Sequence, residues 1–202
     1  MKLCHLVAPT TSTGFLLGAF VLTTGCSTNP SQEDLVHNDL HSRLNETRVA
    51  EYHEPRSSRE IVTLVKKAKR SGRAVSISGG RHAMGGQQFG EGTIHLNLLR
   101  YNQVISLDPE RGLVTVESGI QWPELIEWLL SHQEGRQKQW GIRQKQTGAD
   151  RLSIGGALSA NIHGRGLTLK PMVGDVESFT LVDAEGEVRH CSREDNAELF
   201  RL

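Results

Sequence analysis

The sequence predicts an α+β domain, and three observations carry that prediction. Helical periodicity alternates with short β-rich runs from residue 55 onward, glycine pairs punctuate the joints, and a two-stranded hairpin pattern follows near the end. With 202 residues, 37% hydrophobic and 23% charged, the chain suffices for one domain with a substantial core and is too short for a two-domain enzyme of ordinary size.

Each element has a local cause. Ser57-Ser58-Arg59-Glu60 is a capping box, after which Ile61, Leu64, Val65 and Ala68 recur at helical spacing until Gly72 closes the turn. A strand over 74–78 follows at once. Further β-rich runs at 93–98, 104–107 and 113–117 precede a helix over 123–131, with Pro123 in its favourable first turn. A glycine-punctuated segment spans 153–166. Strands at 176–182 and 187–191 are joined by Asp183-Ala184-Glu185-Gly186, which has hairpin-turn chemistry. Ser192-Arg193-Glu194-Asp195 starts a last helix over 195–202. No internal repeat or low-complexity tract is present.

The residues before 55 read differently. Lys2 precedes an uncharged stretch reaching Leu22, with an apolar centre at 15–22 that is too short to span a bilayer comfortably. Residues 1–25 are therefore expected to be a signal peptide. Leu22-Thr23-Thr24-Gly25-Cys26 resembles the bacterial lipobox, in which the cysteine is acylated, although Thr23 stands where the motif usually carries Leu. An ordinary secretory signal cut nearby is the alternative. The lipobox reading implies a lipoprotein held by Cys26 on the periplasmic side of a bacterial membrane, touching the bilayer through its lipid alone. Cys4 then leaves with the signal, and Cys191 is the only thiol in the mature body. Residues 26–54 are polar and are expected to form a tether, in which Leu35, Val36, Leu40 and Leu44 could build one short amphipathic helix.

Composition excludes some partners. Lys plus Arg and Asp plus Glu both count 23, so no net charge draws the chain toward nucleic acid, and neither a nucleic-acid partner nor a metal is expected. Glycine is abundant at 21, often paired beside polar residues, which points to backbone approaching a small ligand closely.

Three loops hold the candidate chemistry. The first, Ser78-Gly79-Gly80-Arg81-His82-Ala83-Met84-Gly85-Gly86-Gln87, follows a strand, contains no carboxylate, and can turn backbone N–H groups toward an anion such as a pyrophosphate. Its glycines match neither the Rossmann nor the P-loop spacing, so a mere tight connection stays open. The second runs through Ser153, Gly155, Gly156, Ala157, Ser159, Ala160, Asn161, His163 and Gly164, small residues that offer a flat surface to a planar ring system or, equally, a helix packed close to a sheet. The third is Val116-Glu117-Ser118-Gly119-Ile120-Gln121-Trp122-Pro123, a strand end leading into a helix start.

In this order the motifs S-G-G-R-H, V-E-S-G-I-Q-W-P-E-L, S-I-G-G-A-L-S-A-N-I-H-G-R-G and V-E-S-F-T-L-V-D-A-E-G-E-V resemble the FAD-binding domain of the vanillyl-alcohol oxidase and p-cresol methylhydroxylase (PCMH-type) superfamily. The loop pattern is most similar to aldonolactone, alditol and berberine-bridge-like oxidases, and the resemblance covers residues 55–202. It implies a two-subdomain FAD-binding fold. It also implies pyrophosphate contacts from Ser78, Gly79, Gly80, Arg81 and Ala83, and an adenine-side wall at Gly119. Ser153, Gly155, Gly156, Ser159 and Asn161 would line the pyrophosphate and isoalloxazine, His163 and Gly164 would lie close to the ring, and Val176 would meet the adenine through its backbone. His82 falls where many relatives bond histidine to the flavin 8α-methyl; Ala83 follows where those relatives usually carry Ser, which leaves the covalent link open.

The resemblance further implies an oxidoreductase that moves a hydride from an alcohol C–H bond of a sugar, polyol or lactone to flavin N5, with oxygen or a carrier protein as electron acceptor. In the family the chain continues past the equivalent of residue 202 into a substrate (cap) domain, which is missing here and normally furnishes the catalytic base; either the reading frame is truncated or interrupted or a separate substrate-domain polypeptide completes the enzyme, and no base is assigned. A cofactor-holding remnant and an exported interaction module without turnover remain alternatives.

Overall fold

Backbone pairing sorts the strands of the computed structural model into a five-stranded sheet, a three-stranded sheet and one two-stranded pair. The structure describes residues 2–4, 35–146, 148–166 and 168–201. In chain order the elements are β1 (Lys2–Cys4), β2 (Val36–His37), β3 (Thr47–Arg48), β4 (Glu51–His53), α1 (Ser58–Arg70), β5 (Val75–Ser78), β6 (Ile94–Asn97), β7 (Val104–Asp108) and β8 (Leu113–Val116), then α2 (Trp122–His132), α3 (Ile154–Ser159), β9 (Val176–Val182), β10 (Val188–Ser192) and α4 (Ala197–Phe200).

The first subdomain is the parallel sheet β4-β6-β5 with α1 packed on it. Its central strand β6 is buried at every residue, and Ile94 and Leu96 meet Ile61, Leu64 and Ala68 of the helix. The predicted cap forms: Ser57 Oγ accepts from Glu60 N at 3.2 Å, and the Glu60 carboxylate accepts from Arg56 N at 2.9 Å. Gly72, at φ 63°, closes the turn after the Ser71 cap, a conformation in which a Cβ is penalised.

The second subdomain is a five-stranded sheet in the order β10-β9-β1-β8-β7. β7 with β8 and β9 with β10 are antiparallel pairs, and β1 lies between β8 and β9, parallel to both. Trp122, Leu125 and Leu129 of α2 bury against Val114, Val116, Ile154, Ala157 and Met172, which anchors the third loop and the start of α3 to one core. Cys191 is a free buried thiol packed with Val176 and Phe200. Lys66–Glu187 at 3.1 Å and Lys69–Glu185 link α1 to the β9–β10 turn, exposed pairs that set position more than stability.

Three expectations change. The stretch read as a tether is, from Leu35 onward, part of the fold: it supplies β2, β3 and β4, and Val49 is buried. No amphipathic helix forms over 35–44, because the Asp39 carboxylate takes the backbone N–H groups of His41 and Ser42 and so competes with helical pairing. The last helix is confined to Ala197–Phe200, since Ser192 Oγ accepts from Glu194 N and Asp195 N while Asn196 sits left-handed at φ 46°. Residues 5–26, with most of the expected signal peptide and Cys26, lie outside the described residues. No helix among the described residues is long and apolar enough to cross a membrane.

Candidate functional site at the junction of the subdomains

β5 delivers the chain into the first loop over a buried aromatic floor. His95 on β6, 1% exposed, bonds Ser76 Oγ through Nδ1 and Ser78 Oγ through Nε2, both at 2.8 Å. His37, Tyr52 and Phe89 surround its ring. Burial pushes the His95 ring down to about 4, helped by His37 and Arg81, so it is neutral at pH 7.

Above that floor, Gly79 and Gly80 let the loop touch the second subdomain. A Cβ on Gly79 would fall on the Ser153 hydroxyl, and one on Gly80 would fall on the Arg151 carbonyl and lie 2.9 Å from His82 Cδ2. Arg81 is left-handed at φ 53°, an uncommon conformation for a side-chain-bearing residue. The backbone N–H groups of Gly80, Arg81 and His82 donate to no acceptor among the described residues. Open donors on a carboxylate-free loop are what a pyrophosphate requires, so this donor set fits the phosphates of a dinucleotide.

His82 is half-buried. Its Nδ1 lies 2.6 Å from His41 Nε2, while its Nε2 is shielded from solvent, facing the Arg151 carbonyl without a well-formed hydrogen bond. Burial lowers the His82 pKa, His41 adds to that, and the Arg151 carbonyl opposes it. The ring is therefore a neutral imidazole at pH 7.

The other two loops lock against the first. Gly119 N donates to Tyr101 O at 2.7 Å, and a Cβ there would collide with the Leu98 and Tyr101 carbonyls. Gln121 bridges to Ser153 across the backbone and donates through Nε2 to Arg151 O, Ile154 N donates to Ile120 O at 2.8 Å, and Gly155 N donates to Ser118 O at 2.8 Å. Ser153 caps α3, so the small residues of the second loop form the closely packed helix that was the plainer of the two expectations. Gly156 is exposed on that helix.

The structure thus brings together Ser78, Gly79, Gly80, Arg81, His82, Gly119, Ser153, Gly155 and Gly156. Ala83 is exposed at the loop's outer end. Ser159 is exposed and bonds Gly155 O at 2.9 Å, Asn161 Oδ1 accepts from Val173 N at 3.4 Å, His163 Nδ1 meets its neighbour Gly164 O at 2.9 Å, and Gly164 packs by Lys145. Val176 begins β9 in the Cys191 cluster. Beside the junction, Trp122, Ile126, Leu130, Lys145 and Asp150 line an open, mainly apolar groove of about 580 Å³. Sequence reasoning missed His41, Asp39 and Asn45; the density of small polar side chains over 38–45 was the available signal.

The comparisons agree with this geometry. The FAD binding domain family matches residues 49–192. Mouse (Mus musculus) L-gulonolactone oxidase is 28% identical over 152 residues, covering 74% of this chain and 32% of the relative. Mitochondrial L-galactono-1,4-lactone dehydrogenase of Arabidopsis thaliana is 28% identical over 174 residues, covering 86% of this chain and 27% of the relative. The solved carbohydrate oxidase from Microdochium nivale, in complex with a substrate analogue, superposes with TM-score 0.63 at 25% identity over 77% of this chain and 32% of its own. A chitooligosaccharide oxidase gives TM-score 0.61 at 21% identity and shows the same fold. The chain spans about a third of the length of these relatives. Two subdomains meeting at glycine loops with open backbone donors, and a family match over most of the chain, give one conclusion: the chain belongs to the FAD binding domain family, with the PCMH-type fold and FAD as its cofactor.

Proposed function

We propose that this chain is the flavin-holding part of an FAD-dependent oxidoreductase that acts on CH–OH donors, with a sugar, polyol or lactone as substrate. The observation that carries the reading is the convergence of three glycine loops around unpartnered N–H donors and a neutral His82. FAD, when bound, accepts a hydride at N5. Residues of this chain hold and orient it: Gly80, Arg81 and His82 offer backbone donors to the pyrophosphate, and the α3 surface at Gly156 presents a small-residue face. The substrate-side base is expected from a substrate domain or partner polypeptide, and the electron acceptor is oxygen or a carrier protein. The lactone-acting relatives favour a lactone over a polyol. Anaerobic mixing of the FAD-loaded protein, with its substrate-domain partner present, with a panel of aldonolactones, sugars and polyols should bleach the yellow flavin bands. Bands that persist with every donor leave a cofactor-holding remnant instead.

The same reading includes a covalent link through His82. Acid-precipitated protein should keep its colour, and the tryptic peptide that begins at His82 should carry the mass of FAD. His82→Ala should bind FAD and release all of it in acid.

Export as a lipoprotein on the periplasmic side of a bacterial membrane rests on the sequence before Cys26. A labelled fatty acid should mark the wild type and spare Cys26→Ser. Equal label in both overturns the anchor.

A further inference from the structure

The zero net charge of the chain conceals a segregation of charge along it. Between residues 135 and 174 seven Lys and Arg residues face a single carboxylate in the sequence, that of Asp150. Folding gathers five of the seven on one surface. Gln144 Nε2 donates to Lys170 O at 2.7 Å, and a Cβ on Gly164 would stand 3.1 Å from Lys145 O, so segments 143–146, 164–166 and 170–175 lie side by side. Lys145 pairs with Asp150, the neighbour of Arg151. Arg143, Lys145, Arg151, Arg165 and Lys170 therefore form one basic strip.

Three carboxylates border it. Asp175 pairs with Arg143 at 3.0 Å, Asp150 with Lys145, and Glu127 of α2 lines the same groove as Lys145. Arg151, Arg165 and Lys170 are exposed and have no carboxylate partner among the described residues. The strip also reaches the junction of the subdomains. Arg151 O accepts from Gln121 Nε2 and faces His82, while Arg165 lies in the glycine-punctuated segment 153–166. Exposed charges spread over three segments gain little from a small anion in water, but together they attract and orient a large one.

We propose that this strip docks an acidic electron-carrier protein, the acceptor in the oxidation proposed above, and the inference rests on that reading. Each CH–OH donor oxidised yields two electrons and two protons. One-electron carriers docking in succession take the electrons, and the protons pass to water. A carrier has to bring its redox centre beside the cofactor, and the strip adjoins the first and second glycine loops. Its positive charge steers an acidic surface there and disfavours a basic one. A planar anionic bilayer fits less well, because Glu127 and the exposed Asp150 would meet the same headgroups.

The test uses the full chain loaded with FAD and reads binding by surface plasmon resonance. The probes are an acidic ferredoxin, a basic cytochrome c of similar size, and phosphatidylglycerol vesicles. The wild type should bind the ferredoxin in preference to the cytochrome, and the double variant Arg165→Glu, Lys170→Glu should associate with ferredoxin about ten-fold more slowly at low salt. High salt should erase that difference, and FAD affinity should stay at the wild-type value. Arg165→Gln with Lys170→Gln should give an intermediate rate, which separates charge from damage to the fold. Equal binding of the two carriers, or a charge reversal without effect, overturns the docking surface. A matching loss of FAD affinity overturns it in favour of a cofactor role for the strip, and binding to vesicles alone overturns it in favour of a membrane face. Bleaching of the flavin bands by a donor without charge-dependent carrier binding overturns the docking surface and leaves the oxidoreductase standing. Carrier binding when no donor bleaches those bands overturns the oxidoreductase reading and, with it, the carrier's role as acceptor.

Discussion

Gly79 and Ser153 occupy adjoining space at the junction of the two subdomains, and a single Cβ on Gly79 would coincide with the Ser153 hydroxyl. The contact is steric, since Gly79 has no left-handed φ. One hydroxyl thus both caps α3 and sets the distance between the first glycine loop and the helix beside it.

Gly79→Ala is therefore expected to destabilise the fold by about 1–3 kcal/mol through overpacking and to weaken FAD binding. Ser153→Gly vacates the hydroxyl's place at a cost of a few tenths of a kcal/mol in capping, roughly what a Gly cap loses. The double variant should recover most of the loss in urea unfolding and FAD titration. Strictly additive losses would show that the two residues do not compete for space.

Much of this arrangement was legible in the sequence, for reasons that also explain what was not. β9 emerged at its observed bounds because a β-rich run ends at a turn whose Asp183 and Gly186 chemistry is local. The cap of α1 was equally local. His41 was hidden because its partner lies 41 residues away, and the Asn and Asp side chains around it make the same polar pattern as a solvated tether. The Gly79–Ser153 contact was hidden likewise: each glycine motif was visible, but which atom a missing Cβ spares depends on the packing of two subdomains.

The buried His95 makes stability depend on pH. Its folded-state pKa lies near 4, below the ordinary value of 6.5, so between those values the unfolded chain binds a proton that the folded chain refuses. Stability is unaffected by His95 above pH 6.5 and falls as the pH drops toward 4. The limiting loss is on the order of 3 kcal/mol at one pKa unit per 1.36 kcal/mol. His82, also shifted downward, adds in the same direction. His95→Gln keeps a donor and an acceptor for Ser76 and Ser78 and should flatten most of the slope in urea unfolding between pH 7 and pH 5. An unchanged slope would assign the dependence elsewhere.

The last prediction concerns β1, the strand that sits between β8 and β9. Lys2 pairs with Leu113, Leu3 with both Val114 and Val176, and Cys4 with Ser178, so three residues join the two halves of the sheet. Those residues also fall in the segment read as a signal peptide, and removal of residues 1–25 would leave the facing edges of β8 and β9 without that neighbour. Unpaired edges in the middle of a sheet expose backbone donors and acceptors and invite pairing with another strand. A chain made to begin at Cys26 should therefore exchange the amides of Val114, Val176 and Ser178 at least about ten-fold faster than the full chain, the change that 1.4 kcal/mol of lost local protection produces. It should also associate more readily at high concentration. Equal amide protection in the two forms would mean that β1 contributes nothing to the sheet and that β8 and β9 are held by their antiparallel partners, β7 and β10, and by the packing of α2 alone.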